Sequence, residues 1–187
     1  MSEPDRLTET TIASETIYEG RLLHVRVDTV TLPSGRTTTR EVVQHRGAVA
    51  VVPVLDGDRL VLVRQYRQPA GRVLLEIPAG TLDPGEPPEE CARRELAEET
   101  GYRPGRLIPL YRTYLAPGYS SEMLHCFLGL DLVRAEGEPD HDENLEIEIC
   151  TLADAEAMLE RGEINDAKTL CGLLMARQVL QAARTSR

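Results

Sequence analysis

The spacing of apolar residues along this chain predicts a series of strands with helices after them. Residues 17–30 and 40–45 alternate apolar and polar side chains, which is typical of strands with one exposed face. Residues 48–55 form an almost continuous apolar run, as expected for a strand buried on both faces. Further strands are predicted at residues 59–66, 74–77, 107–113, 123–130 and 146–150.

Helical patterns follow residue 80 and return at the end of the chain. Thr151 with Asp154 three residues later fits a capping box, and Gly162 is expected to end that helix. Asp166 can cap a last helix. In that helix leucines recur at helical spacing, at Leu170, Leu173, Leu174 and Leu180. The pattern predicts one α+β domain in which a mixed sheet is covered by helices.

Length and charge exclude several classes of protein. The 187 residues suffice for one domain with a core, which we place at residues 46–187 after an N-terminal β extension at residues 1–45. The net charge of −10 repels nucleic-acid backbones and anionic membranes. The four cysteines lie far apart and form no Cys-x-x-Cys pair, which predicts free thiols. We therefore expect a cytoplasmic protein with no nucleic-acid or membrane partner.

A glycine-rich loop and a carboxylate-rich helix carry the candidate chemistry. Glu95, Glu98 and Glu99 are three and four residues apart, so they project within roughly a 100° arc of one helix. Like charges at this spacing destabilise a helix, and a bound cation offsets the repulsion. Ligands that are all oxygen favour a hard ion such as Mg²⁺ or Mn²⁺. A solvated acidic face is the alternative interpretation.

Neighbouring residues extend this predicted site. Arg94 can pair with Glu98 one turn later and hold it in a ligating rotamer. Glu86, near the start of the helix, suits the positive end of the helix dipole or can reach a metal from the loop. For both residues an ordinary surface pair is the alternative. Gly80 and Gly85 allow unusual backbone conformations, so that a loop carbonyl can also point at a cation.

Residues 80–102 fit the pattern Gly-x5-Glu-x7-Arg-Glu-U-x-Glu-Glu-x-Gly-U, in which U is a bulky apolar residue. The segment thus resembles the Nudix box of the Nudix hydrolase family, with Tyr102 as an aromatic variant of the last position. Four further segments resemble the ADP-ribose pyrophosphatase branch, at residues 47–53, 63–67, 75–80 and 162–169. The resemblance implies an α/β/α sandwich with a mixed sheet, plus an N-terminal β-hairpin extension.

The resemblance also implies a reaction and a set of metal ligands. Nudix hydrolases use Mg²⁺ to cleave the pyrophosphate of a nucleoside diphosphate derivative, and the branch implies cleavage of ADP-ribose to AMP and ribose 5-phosphate. Glu95 and Glu99 are then the principal ligands, assisted by Glu98 and the carbonyl of Ala79. Pro117, fifteen residues past the box, is typical of members that hydrolyse ADP-ribose, although a proline is also an ordinary turn residue.

A second acidic cluster lies at residues 140–146. In this branch a loop glutamate activates the attacking water or binds a metal. By this resemblance Glu143 is the first candidate and Glu146 the second. An exposed acidic loop without a role is the alternative.

Substrate contacts are implied in several other places. Arg67 resembles the branch arginine that binds the diphosphate, a task that suits a guanidinium, or else it is a strand-end surface residue. Glu122 can accept hydrogen bonds from ribose hydroxyls. Arg40 and Glu41 resemble residues that reach the adenine side from the partner subunit of a homodimer with exchanged N-terminal strands. Tyr18 either stacks on the adenine or packs within a strand.

Two other functions are compatible with parts of this pattern. A pyrophosphatase acting on another nucleoside diphosphate derivative, such as a nucleotide sugar, would use the same box. A Nudix-fold nucleotide sensor would be expected to lose box carboxylates, and none is missing here. Nucleic-acid decapping is disfavoured because the chain has no basic patch and few aromatics to stack bases.

Overall fold

The structure is a computed structural model that describes residues 6–135 and 144–185. The strands are β1 (Thr10–Glu19), β2 (His24–Thr31), β3 (Thr37–Gln44), β4 (Ala48–Asp56), β5 (Arg59–Arg67), β6 (Arg72–Glu76), β7 (Ala79–Thr81), β8 (Tyr102–Tyr114), β9 (Met123–Arg134) and β10 (Leu145–Thr151). The helices are α1 (Pro88–Thr100), between β7 and β8, and α2 (Leu152–Glu160) and α3 (Ala167–Thr185), which follow β10. None of the described helices is long and apolar enough to cross a membrane.

The chain divides into two compact units. The first unit comprises Met1–Arg46 together with Tyr114–Met123. The second unit comprises Gly47–Thr113 together with Leu124–Arg187, and it contains the whole glycine-rich loop and α1.

A three-stranded antiparallel sheet, in the order β1-β2-β3, forms most of the first unit. The single extended stretch predicted at residues 17–30 is wrong, because the Gly20 N–H donates to the Leu23 carbonyl at 2.9 Å and turns the chain between β1 and β2. All ten residues of β1 are exposed, so it lacks the apolar alternation by which its full length could be predicted. Tyr18 is 58% exposed and does not pack into a core of this unit.

The segment after β8 belongs to the first unit and joins the end of β3. The Val43 N–H donates to the Tyr119 carbonyl at 2.7 Å, and the Ser121 N–H donates to the Val43 carbonyl at 3.0 Å. This pairing places Pro117 and Glu122 in the same unit as the predicted substrate contacts on β3.

A mixed sheet, in the order β10-β5-β4-β9-β8, forms the centre of the second unit, where β6 pairs with β5 and β7 with β4. Alternate residues of β4 face opposite sides of this sheet. Val49 and Val51 pack with Leu96 of α1, whereas Val52 packs in a cluster with Leu173 of α3. This arrangement confirms the prediction of a sandwich and explains the continuous apolar run of β4, which is buried on both faces.

The predicted helix signals are present at the ends of the helices. Thr151 and Asp154 form a reciprocal capping box at the start of α2. Gly162, predicted to end α2, lies two residues after its last residue, Glu160, with a φ of 72°, a left-handed conformation that glycine adopts without strain. At the start of α3, the backbone N–H of Thr169 donates to Asp166 at 3.0 Å, so Asp166 caps this helix as predicted.

Thr169 links α3 to the sheet, and its removal gives a first prediction. Its hydroxyl accepts from the Ile77 N–H at 2.9 Å and donates to Asp166 at 2.6 Å, and Thr169 is fully buried. Thr169→Val keeps the shape but leaves a buried N–H unpaired, so we expect a loss of about 1–3 kcal/mol in unfolding free energy. Urea unfolding measures this loss. Thr37→Val, at an exposed position of β3, is the control, and equal stability of both variants would contradict the assignment.

Candidate active site

A five-residue segment, 76–80, positions the site within the second unit. The strand predicted at residues 74–77 corresponds to β6, and an unpredicted strand, β7, follows it after a break, because β6 pairs with β5 whereas β7 pairs with β4. Pro78 lies between them and has no N–H to donate, but its carbonyl accepts from the Val51 N–H at 2.9 Å. The chain thereby crosses from a strand paired with β5 to a strand paired with β4, and Gly80 comes to lie against Glu95 of α1.

The carboxylate of Glu95 occupies the space beside Gly80. A Cβ added at residue 80 would lie 1.9 Å from Cδ of Glu95 and just over 2 Å from its oxygens, at 2.1 and 2.3 Å. Only glycine leaves room for the carboxylate in this position. The Glu95 side chain is only 12% exposed, so the loop and the helix hold a partly desolvated anion between them.

Arg94 binds three of the predicted box carboxylates at once. Its Nε and Nη2 donate to the two oxygens of Glu86, both at 2.9 Å. Its Nη1 donates to Glu95 at 2.8 Å and to Glu98 at 2.9 Å, which includes the pairing predicted one turn along the helix. The result is a half-buried network around one guanidinium, not an isolated surface pair.

Glu99 contacts the same segment at Ala79 and is 4% exposed. Its Oε2 accepts from the backbone N–H of Ala79 at 3.2 Å. The predicted backbone ligand and one of the predicted carboxylate ligands are therefore neighbours in the structure. Burial of a carboxylate is costly unless hydrogen bonds or cations compensate. The buried position of Glu99 is therefore not that of a surface charge that only keeps the protein in solution.

The electrostatics of the cluster follow from Arg94. The hydrogen bonds from Arg94 lower the pKa of Glu86 from 4.5 to about 2, against the opposing effect of partial burial. The same bonds with Glu86 raise the pKa of Arg94 further above its ordinary value, so it stays a cation. Three carboxylates thus share one guanidinium, and when these three and Glu99 are ionised the cluster carries an excess of negative charge.

This donor set fits a hard divalent cation by its chemistry. Every candidate ligand is an oxygen, and the negative charge exceeds what Arg94 neutralises. Within residues 6–135 and 144–185, however, no three Asp, Glu, His or Cys side chains already stand at metal-ligand spacing. Three of the carboxylates bind Arg94, and Glu99 accepts from the Ala79 amide. The candidate ligands therefore lie close together, but their oxygens do not point at one common position.

The lowered pKa of Glu86 gives a prediction about acid stability. Unfolded chains protonate this carboxyl as the pH falls below about 4.5, whereas the folded chain keeps it ionised to about 2. The ion pair therefore stabilises the fold above pH 4.5, and this contribution is lost as the pH falls toward 2. We expect Glu86→Gln to cost about 2 kcal/mol at pH 7 and progressively less below pH 4.5.

Urea unfolding in chelator at pH 7, 5 and 3.5 measures the difference between Glu86→Gln and the unaltered protein. Glu90→Gln, on an exposed position of the same helix, is the control and should differ little at any pH. A deficit for Glu86→Gln that is as large at pH 3.5 as at pH 7 would contradict the assigned pairing.

A second polar network lies at the other end of the segment, around Glu76, a residue for which the sequence pattern predicts no role. Glu76 accepts from Nε and Nη2 of Arg67, at 2.9 and 2.7 Å. Its other oxygen lies 3.2 Å from Nζ of Lys168, and Glu76 is 2% exposed. The sequence signal for this network is that Glu76 follows apolar residues at the end of β6. A charged residue in such a buried strand requires a partner of opposite charge.

The other predicted site residues lie in the first unit, on β10 or outside the described residues. Arg40 forms a two-pronged pair with Glu9, at 3.0 and 2.6 Å, and lies in the first unit with Glu41, Glu122 and Tyr18. Glu146 is exposed on β10, opposite Arg64 in the strand register. The first candidate for water activation, Glu143, lies outside the described residues.

Comparisons with known proteins match two parts of this chain to described families. Residues 44–173 match the NUDIX domain family, and residues 9–43 match the nucleoside diphosphate sugar hydrolase N-terminal domain. An ADP-ribose pyrophosphatase of Bacillus subtilis (strain 168) is 42% identical over 95% of this chain and 98% of its own length. A methanol dehydrogenase activator of Bacillus methanolicus is 39% identical over 87% of this chain and 89% of its own.

A solved structure, described as a crystal structure of an ADP compounds hydrolase, superposes with a TM-score of 0.86. It is 29% identical and covers 97% of this chain and 98% of its own. The family match includes the segment 76–80, Arg94 and all four box carboxylates. The chain therefore belongs to the Nudix hydrolase family.

Proposed function

We propose that this protein hydrolyses the pyrophosphate bond of ADP-ribose, with Mg²⁺, to give AMP and ribose 5-phosphate. The observation that carries the proposal is the oxygen-only carboxylate cluster around Arg94 and Gly80, inside a complete Nudix box. Similarity to an ADP-ribose pyrophosphatase over 95% of the chain supports this choice of substrate.

The residues that would hold the cation are Glu95 and Glu99, with Glu98, Glu86 and the Ala79 carbonyl contributing. A bound divalent ion supplies neutralisation of diphosphate charge and a lower pKa for a coordinated water. Mn²⁺ has the same preference for oxygen ligands and would be accepted in its place.

The chain's own side chains then have distinct tasks. Arg67 offers the diphosphate a guanidinium whose planar donors match phosphate oxygens. Arg94 holds Glu95 and Glu98 in place through the bonds described above. In the reaction, water adds to one phosphorus and the bridging P–O bond breaks. Glu143, or Glu146 in its place, accepts the proton that the attacking water loses.

Recognition of the two sugar-linked ends is assigned to the first unit. Glu122 accepts hydrogen bonds from the terminal ribose, and Arg40 and Glu41 reach the adenine of the partner subunit's substrate. Tyr18 stacks on that adenine, a role its exposed ring allows. Arg40 is bound to Glu9 within its own chain, so this contact requires the pair to open or to share the guanidinium.

A homodimer with exchanged N-terminal strands is part of the proposal. Its support is β1, in which Ile12, Ile17 and Tyr18 are each more than half exposed. Light scattering of purified protein should give twice the mass of the chain, and Ile17→Glu should reduce it toward one chain. A monomer at working concentration would contradict the dimer but not the proposed reaction.

We also propose a cytoplasmic location, with which the four free cysteines are compatible.

A substrate panel separates the proposed function from its alternatives. ADP-ribose, ADP-glucose and GDP-mannose are assayed in parallel with Mg²⁺, and products are identified by chromatography. We expect kcat/KM to be highest for ADP-ribose. A preference for either nucleotide sugar would instead support that alternative. Binding of nucleotide without turnover of any substrate would support the sensor.

A further inference from the structure

The buried carboxylate of Glu76 is held between two cations. Arg67 binds one of its oxygens through two nitrogens, and Lys168 approaches the other at 3.2 Å. Its side chain is 3% exposed, and that of Lys168 is 11% exposed. Because burial of a carboxylate is costly unless it is paired, the contacts with Arg67 and Lys168 compensate for the burial of Glu76.

Lys168 in turn belongs to the start of α3. Its Nζ lies 2.9 Å from Oδ2 of Asp166, the same oxygen that caps the helix through Thr169. Burial opposes ionisation of Asp166, but Lys168 and the hydrogen bonds of Thr169 outweigh it and lower its pKa. The four charged side chains contact one another in the order Arg67, Glu76, Lys168, Asp166, and Asp166 caps α3 at the end of this line.

Arg67 stands at the open end of this line. Nε and Nη2 are bound to Glu76, whereas Nη1 makes no hydrogen bond to any residue in the described part of the chain. Its side chain is 37% exposed. One edge of the guanidinium is thus fixed by the protein, and the opposite edge remains available to an anion. An arginine fixed this way has lost part of its rotamer freedom before any ligand binds.

The position of the line relative to the box follows from the chain itself. Glu76 and Gly80 are four residues apart on the segment that crosses from β6 to β7. Their Cα atoms are therefore within about 14 Å of each other, since an extended chain spans at most ~3.6 Å per residue. A diphosphate in contact with the box is within reach of an arginine side chain from this end.

We propose that Glu76 and Lys168 are positioning residues that orient Arg67 toward the substrate diphosphate, which rests on the proposed function. Glu76 fixes the guanidinium by charge-assisted bonds. Lys168 supplies a second positive charge, so that Glu76 does not cancel the attraction of Arg67 for an anion. Asp166 sits at the start of α3, where the helix dipole offsets part of its charge.

A kinetic double-mutant cycle tests this proposal. Glu76→Gln, Arg67→Gln and the double variant are assayed with ADP-ribose, and folding is checked first by melting temperature. We expect Glu76→Gln to raise KM about tenfold with a smaller change in kcat. In the Arg67→Gln background the same change should raise KM little further, because Glu76 acts through Arg67. Additive effects, or an unchanged KM, would overturn the proposal.

Lys168 has its own variants. Lys168→Met should raise KM by a similar factor, and Lys168→Arg should restore most of it because the charge returns. Glu148→Gln is the matched control, since Glu148 pairs with Arg64 on the neighbouring strand in the same kind of ion pair. If folded Lys168→Arg raises KM as much as Lys168→Met does, the positive charge of Lys168 does not explain the effect, and its proposed role is overturned.

A readout independent of turnover separates this inference from the proposed function. The Nε–H of Arg67 should give a slowly exchanging ¹⁵N signal in the unaltered protein and a fast one in Glu76→Gln. No turnover of any diphosphate by the unaltered protein would defeat the proposed function. The exchange measurement would still decide whether Glu76 fixes Arg67, and equal exchange in both proteins would overturn that claim.

Discussion

Replacing Glu95 with glutamine is expected to lower kcat for ADP-ribose about 10³-fold while the fold keeps its stability. Glutamine has almost the same shape, and its amide oxygen can still accept from Arg94, which binds Glu95 at 2.8 Å. It cannot supply the negative charge that a divalent cation requires. Loss of a ligand charge at a cation that stabilises the transition state removes several kcal/mol, which corresponds to this factor.

The same variant has a readout that does not depend on activity. Titration with Mn²⁺, followed by its paramagnetic resonance signal, should show weaker binding to Glu95→Gln than to the unaltered protein. Glu90→Gln is the control, because that carboxylate is exposed on the same helix. Full activity with unaltered Mn²⁺ affinity in Glu95→Gln would sink the metal assignment.

Gly80→Ala is expected to cost about a hundredfold in kcat/KM with little effect on stability. The added methyl would lie 1.9 Å from Cδ of Glu95, so the carboxylate must leave its place. A flexible side chain can rotate away at small cost to folding, whereas a displaced ligand loses the geometry that the reaction needs. Gly80→Ala should therefore lower activity without lowering folding stability to a similar degree.

Melting temperature and kcat/KM measured together test this separation. Gly57→Ala is the control, because an added Cβ there meets nothing within 4 Å and the turn is distant in sequence from the box. It should lose a little stability, since its φ is 53°, but keep its activity. Wild-type activity in Gly80→Ala would show that the placement of Glu95 beside the loop does not matter.

Local patterns predicted the parts of the fold that depend on local rules. The apolar run of β4, the capping box at Thr151 and the cap at Asp166 are present as expected, because neighbouring residues decide them. The extent of β1 and the break between β6 and β7 were not predicted. β1 is exposed throughout, and the break depends on which strands pair, which no local pattern encodes.

The candidate site divides in the same way. Helical spacing predicted the contact between Arg94 and Glu98, four residues apart. It could not predict that Arg94 also binds Glu86 across the loop, nor that Glu95 lies beside Gly80. The pairing of Glu76 with Lys168 joins residues 92 positions apart and needs the tertiary fold. The roles of Glu143 and Glu146 stay predictions.

The central claim is that the carboxylates around Gly80 and Arg94 bind a divalent cation that supports hydrolysis of ADP-ribose. Its most direct test is the release of AMP and ribose 5-phosphate by purified protein, first with Mg²⁺ and then with excess chelator. We predict equal amounts of both products with Mg²⁺, none with chelator, and recovery when Mg²⁺ is restored. Hydrolysis that continues in excess chelator, or an absence of AMP with Mg²⁺ present, would contradict the account.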